Sequence, residues 1–252
     1  MVGRQQEVSL MPQAVREKPA PFHIVFALFP DVTHLDFTGP HQILSRLPGA
    51  QVVIASQAGG EVEAEGLVFA RVARLADLER CDLLCAPGGF GVTQAMADPE
   101  YLHQLRRLAG MARYVTSVCT GSLLLGAAGL LKGKRAACHW AWRDQLALFG
   151  AIPDPARVVR DGDVFTGGGV TAGIDFALTV VAEIAGPDVA QAVQLAVEYA
   201  PDPPFTAGRP ETAPPAVLDR VQAIYARGMD ERWAAARKAG EAMMAVERGV
   251  GA

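Results

Sequence analysis

Arg113–Leu131, RYVTSVCTGSLLLGAAGLL, holds the junction from which the fold can be read. Arg113–Val118 reads as a short strand and Ser122–Leu131 as a helix of leucines and small residues, and only Cys119-Thr120-Gly121 lies between them. A residue at so tight a strand-to-helix turn stands at the carboxyl edge of a sheet, where α/β proteins bind ligands. A thiol in that place faces the positive end of the following helix, which favours the thiolate and predicts a lowered pKa. The small residues Thr120-Gly121-Ser122 let backbone amides come close to a ligand. The competing reading is a buried structural cysteine, the common fate of a free thiol. The turn position argues for function.

Outward from this junction, strands and helices alternate. Phe22–Phe29 is an apolar run that stops at Pro30-Asp31 and suits a strand buried on both faces. The stretch Asp31–Leu47 has helical spacing at Leu35, Ile43, Leu44 and Leu47, and Gly39-Pro40 predicts a helix start near Pro40 after a shaped loop. Gln51–Ser56 and Cys81–Ala86 read as strands with a weakly patterned stretch between them, and Pro87-Gly88-Gly89 stops the second. Pro99–Ala112 is an amphipathic helix. A short strand leads to His139-Trp140 and another helix. Arg157–Gly169 reads as a hairpin turning at Asp161-Gly162, and helices follow at Thr171–Ile184 and Asp188–Tyr199. Such alternation implies right-handed βαβ units around a mostly parallel sheet. The expected organisation is one α/β domain over residues 21–200. Residues 1–20 are expected to be a disordered extension or the product of a start site placed too far upstream. Residues 201–252 hold a proline-rich segment and a terminal helix, Ala216–Arg248, which packs on the domain or on a dimer partner.

Composition narrows the function classes. The chain of 252 residues is 50% hydrophobic and 20% charged, which supports a sizeable core. Its net charge of −4 argues against a nucleic-acid partner held on a broad basic surface. No apolar run reaches the roughly 18–20 residues of a membrane helix, and residues 1–20 lack the apolar block of a secretory signal. Four cysteines are too few for a disulfide framework in a chain this long, so a cytoplasmic setting is expected.

Among those cysteines, Cys81, Cys85 and Cys138 sit inside apolar strand-like segments and read as core fillers. Asp36, in Leu35-Asp36-Phe37, is either a turn or capping residue or an acid whose pKa burial beside a thiolate would raise; the residues leave both readings open. The amides of Gly88-Gly89 could donate to an oxyanion, although a turn also explains the pair. Thr120 offers a hydroxyl beside the sulfur or caps the helix. Gly167-Gly168-Gly169 before a helix resembles an anion cradle without the lysine of a P-loop. His139 could pair with a cysteine or serve structure alone. With five histidines and no metal-ligand spacing, no metal site is expected. Phe37, Trp140, Trp142 and Phe205 are candidate pocket aromatics or core packing.

Taken together, Pro87-Gly88-Gly89 after a strand, Tyr114–Trp140 and Thr166–Leu178 resemble the ThiJ/PfpI superfamily, which is class I glutamine-amidotransferase-like. Leu35–Leu44 (LDFTGPHQIL), the Cys119-Thr120 pair and Val197–Gly208 (VEYAPDPPFTAG) are most similar to its isonitrile-hydrating branch. The resemblance implies a flavodoxin-like three-layer sandwich with a nucleophile-elbow cysteine. It implies a catalytic Cys119, an acid/base Asp36 and a supporting Thr120, with the Gly88-Gly89 amides near the sulfur. It further implies a small isonitrile substrate hydrated to a formamide, a homodimer, and neither metal nor organic cofactor. Thr120 stands where protease-like and many deglycase-like members carry histidine, and Asp36 where the glyoxalase-like branch carries glutamate. Both point to the hydrating branch over glyoxalase, deglycase or amidase-like chemistry. A cysteine-based redox or ligand sensor is the non-enzymatic alternative. Regulators with this domain carry helix-turn-helix units, for which the segment after Tyr199 leaves no room.

Overall fold

The computed structural model describes residues 20–247 and 249. The expected extension over residues 1–20 falls, apart from Ala20, outside the described residues.

Phe22–Leu28 (β1) is buried from Ile24 onward because it lies mid-sheet between two parallel neighbours. Those neighbours are Ala50–Ser56 (β2) and Leu83–Ala86 (β5). Beyond β5 come Tyr114–Val118 (β6), then Val164–Gly167 (β10) and its antiparallel partner Val158–Asp161 (β9). Beyond β2 comes Leu67–Arg74 (β4), whose antiparallel partner is Gly60–Ala64 (β3). The eight-stranded order is therefore β3-β4-β2-β1-β5-β6-β10-β9, parallel except at its two edges. Arg135–Ala136 (β7) and Ile152–Pro153 (β8) make a separate parallel pair.

Helices cover both faces. Leu35–Leu44 (α1), Ala172–Ala185 (α5) and Pro187–Ala196 (α6) pack together. Pro99–Met111 (α3) and Gly121–Ala127 (α4) pack on each other and on β5, with the short helix Val92–Ala95 (α2) against α4. The α3 start is written in its sequence: Asp98 accepts from the Glu100 and Tyr101 amides at 3.0 and 3.1 Å, and Pro99 takes the first helical position. Pro215–Ala226 (α7) and Met229–Glu247 (α8) end the described chain, and α8 lies against α4 and against Arg143–Phe149. Among the described residues no helix is long and apolar enough to cross a membrane.

Several local expectations need correction. The first helix starts at Leu35, so Pro40 is interior. Having no N–H, Pro40 leaves the carbonyl four residues back, that of Asp36, without its helical donor. The weakly patterned stretch after Ser56 is the β3–β4 hairpin, whose turn residues Glu65 and Gly66 both have positive φ (52° and 83°), the backbone of a two-residue hairpin turn. The segment after Trp142 is a 3₁₀ helix, Arg143–Phe149, not an α-helix. Helix α4 is shorter than Ser122–Leu131, and the terminal helix is broken at Arg227-Gly228. Cys81 precedes β5 and Cys138 follows β7, so neither lies in a strand, though both are buried.

Candidate active site

The carboxyl ends of β1, β5, β6 and β10 meet on one edge, and three connections are drawn together there. Val32 bridges Gly89 and the Thr33 amide donates to the Gly88 carbonyl at 2.9 Å, so the β1–α1 loop is zipped to the end of β5. The Cys119 amide donates to the Gly167 carbonyl at 3.0 Å, extending the β6–β10 ladder by one step. The chain then turns sharply: Cys119 has φ +58°, a left-handed conformation that costs a non-glycine residue of order 1 kcal/mol or more. That turn presents the sulfur towards the first turn of α1.

Asp36 occupies that turn and is fully buried. Its Oδ2 accepts from the Gly88 amide at 2.9 Å, while Oδ1 has no hydrogen-bond partner among the described residues. It caps nothing, which removes the capping reading of this residue. Burial raises its pKa to about 7, opposed by the Gly88 amide and by the Cys119 thiol it faces, and Glu65 adds a further upward push.

The lowered pKa expected for Cys119 is not found. Burial raises it well above the ordinary thiol value, and the Asp36 charge raises it further, with the Thr120 amide opposing. The magnitudes explain the outcome. A helix N-terminus is worth about 0.3–1 kcal/mol, less than one pKa unit, whereas full burial moves a group by as much as ~3–5 units. Cys119 is 5% exposed. Two raised groups in contact titrate as one unit: the pair sheds its first proton near pH 7 and keeps the second well into alkaline pH.

Thr120 does not cap α4 with its side chain. Its hydroxyl accepts from the Gly89 amide at 3.0 Å and donates to the Gly89 carbonyl at 3.3 Å. The Gly88 and Gly89 amides therefore do not stand open as the oxyanion reading expects. They hold the acid and the hydroxyl. Gly88 is also sterically obligatory, because a Cβ there would fall 2.5 Å from the Thr120 nitrogen and 2.8 Å from Asp36 Oδ2. Gly88→Ala is expected to destabilise the protein by about 2 kcal/mol in urea unfolding. An unchanged midpoint would mean that the loop has slack to absorb the methyl.

A pocket of about 360 Å³ opens over the sulfur, lined by Thr33, His34, Leu35, Glu65, Gly89, Phe90, Cys119, Thr120, His139, Trp142, Val170 and Tyr225. Asp36 lies behind Cys119, out of the lining. Of the candidate aromatics only Trp142 reaches this pocket. Phe37 is core, packed on Phe26 and edge-on to Phe69, and Phe205 is 79% exposed in the proline-rich segment. Trp140 lines a neighbouring polar cleft with Arg143, Arg157, Arg209 and the Gly168-Gly169 backbone. His139 lines the active pocket, but burial lowers its pKa to about 4, and its Nδ1 accepts from the Ala141 amide at 3.3 Å. It is a neutral wall, not a base for Cys119. The thiols of Cys81, Cys85 and Cys138 are each pushed up to about 12 by burial, as suits core fillers. Among the described residues no cluster of metal-ligating side chains occurs.

Sequence reasoning missed His34, Glu65, Phe90 and Tyr225. Glu65 had a local signal: the alternation of Val62 and Ala64 with glutamates, then Glu65-Gly66, marks a hairpin whose tip meets His34 (His34 N to Glu65 Oε2, 3.1 Å). Tyr225 had none, since only the packing of the terminal helices brings it to the pocket.

A model of the DJ-1/PfpI family matches residues 23–183. Isonitrile hydratase of Pseudomonas putida is 53% identical over 200 residues, spanning 79% of this chain and 88% of that protein. The transcriptional regulator GlxA of Rhizobium meliloti is 31% identical over 212 residues, 79% of this chain and 65% of the regulator. Among solved structures, a ThiJ/PfpI family protein from Pseudomonas syringae superposes with a TM-score of 0.82 at 40% identity, covering 93% of this chain and 98% of that one.

Proposed function

The chain belongs to the DJ-1/PfpI family, and from that footing we propose that it is an isonitrile hydratase, adding water to R–NC to give an N-substituted formamide. The observation that carries the reading is the buried contact between the Asp36 carboxyl and the Cys119 thiol, in which burial raises the carboxyl's pKa towards neutrality. An isonitrile carbon accepts both a nucleophile and a proton, and the pair supplies both.

After the first proton is lost the second rests mainly on the sulfur; in the reactive arrangement it has passed to the Asp36 carboxylate and the sulfur is thiolate. Cys119 attacks the terminal carbon, Asp36 gives its proton to the same carbon, and a thioimidate, R–N=CH–S–Cys119, forms. Asp36 is now a carboxylate. It takes a proton from water as the hydroxyl adds to that carbon and passes the proton to the nitrogen. Collapse of the tetrahedral adduct forms the formamide carbonyl and expels thiolate, and the hydroxyl proton returns to Asp36. Thr120 and the Gly88-Gly89 amides keep the acid and the elbow in register throughout.

The proton count predicts the pH dependence. Below about 7 both groups are protonated and no thiolate is available. On the acid side kcat/KM is therefore expected to rise as pH rises through about 7, then to hold a plateau until the second proton is lost. A rate that falls through pH 7 instead would assign the working state to the doubly protonated pair.

The redox-sensor alternative fits the site less well, because sensor thiols are accessible and of low pKa, whereas Cys119 is buried with its thiol raised. The deciding assay is incubation with cyclohexyl isocyanide, with N-cyclohexylformamide read by mass spectrometry beside methylglyoxal and a peptide. Formamide from the isonitrile supports the proposal. Turnover of either comparison substrate alone overturns it.

A further inference from the structure

Three rings meet edge to face above Cys119. Trp142 and Tyr225 have centroids 4.8 Å apart, His139 and Trp142 4.9 Å, and His139 and Tyr225 5.5 Å. Phe90 faces them from the other side of the pocket, edge-on to Trp142 at 6.2 Å and still 58% exposed. Tyr225 comes from α7, far from the sheet in sequence. It is held there by Arg232 of α8, which donates to the Tyr225 carbonyl at 3.3 Å and the Arg227 carbonyl at 3.2 Å. The same guanidinium lies over the Phe90 ring at 5.2 Å and the Trp142 ring at 5.5 Å. One side chain thus satisfies the open end of α7 and clamps it to the pocket wall.

We propose that Tyr225, positioned by Arg232, is a specificity-determining residue that closes an aromatic box for the substituent of the substrate, and that the box favours ring-bearing groups. This rests on the isonitrile reading for the identity of the reacting head. The chemistry of the wall fixes the class. Its rings present π faces and edges that pack well on alicyclic and aromatic C–H groups. His139 is neutral in this setting, and the Arg232 guanidinium is fixed by two carbonyls and two rings. The carboxylate of Glu65 at the pocket rim disfavours anionic substituents. Cys119 and the box line one pocket, so a cyclohexyl ring is expected to pack on the rings where a methyl group leaves them largely untouched.

The test compares kcat/KM for cyclohexyl and methyl isocyanide. Tyr225→Ala is expected to lower the cyclohexyl-to-methyl ratio by about tenfold, Tyr225→Phe to keep it, and Arg232→Met to lower it in the same direction. A second arm needs no turnover: the rates at which N-cyclohexylmaleimide and N-methylmaleimide alkylate Cys119 should show the same fall in ratio. If wild-type protein hydrates isonitriles and the Tyr225→Ala ratio stays within about twofold in both arms, the specificity role is overturned. If wild-type protein hydrates neither compound but the maleimide ratio falls, the box stands and the hydratase reading fails. A ratio that rises in Tyr225→Ala would show that the wall excludes rings, and would also overturn the proposal.

Discussion

Cys119→Ala should abolish formamide production, with kcat falling about ten-thousandfold or more, because no other thiol lies in the pocket to form the thioimidate. Cys119→Ser should be nearly as inactive, since a hydroxyl is far less acidic than a thiol and the neighbouring acid cannot compensate. Turnover retained by Cys119→Ala would remove covalent catalysis and leave Asp36 to activate water directly. A third substitution separates chemistry from architecture. Cys119 holds φ +58°, where glycine is unstrained. Cys119→Gly should therefore be inactive and yet more stable, by roughly 1 kcal/mol in denaturant unfolding. A loss of stability there would mean that the sulfur's packing outweighs the strain. A gain would mark the turn as a conformation maintained for the nucleophile at the expense of the fold.

The sheet and the strand-to-helix turn at Cys119 were legible in the sequence because their signals are local. β1 is apolar from Ile24 onward, and Val118-Cys119-Thr120 leaves no room between strand and helix. What the sequence hid is what contacts at a distance decide. Asp36 could be a cap until the loop from β1 was seen zipped to Gly88, 52 residues away. Pro40 suggested a helix start, yet the helix begins five residues earlier and tolerates the lost donor at the Asp36 carbonyl. The direction of the Cys119 shift was misjudged for an energetic reason. Proximity to a helix terminus is visible in sequence, but the larger cost of burial depends on the three-dimensional surroundings. Tyr225 and Arg232 belong to a charged terminal helix pair with no signature of a site, and their role comes entirely from where α7 and α8 pack.

Asp36→Asn should separate three properties that the wild-type acid joins. Asparagine keeps the size and can still accept from the Gly88 amide, so the fold is expected to survive. It cannot move a proton, so formamide formation should fall by about a thousandfold. The thiol, by contrast, should become more reactive towards iodoacetamide at pH 8, because the charge on Asp36 is one of the causes holding the Cys119 pKa up. Stability should also rise with the substitution, and the sign follows from linkage. The Asp36 pKa is about 7 in the folded protein against an ordinary 3.8, so the folded state binds this proton more tightly. The stability it confers is complete below about 3.8 and is lost as pH rises to about 7. Above that pH the wild-type protein buries a carboxylate and Asp36→Asn does not. Thermal unfolding at pH 8 should then give the variant a Tm several degrees higher, and the gap should close towards pH 4. Lower turnover with a faster-alkylating thiol and a more stable fold would identify Asp36 as a proton carrier kept buried for the reaction. A variant that is simply less stable, with a slower thiol, would return Asp36 to a structural part in the loop.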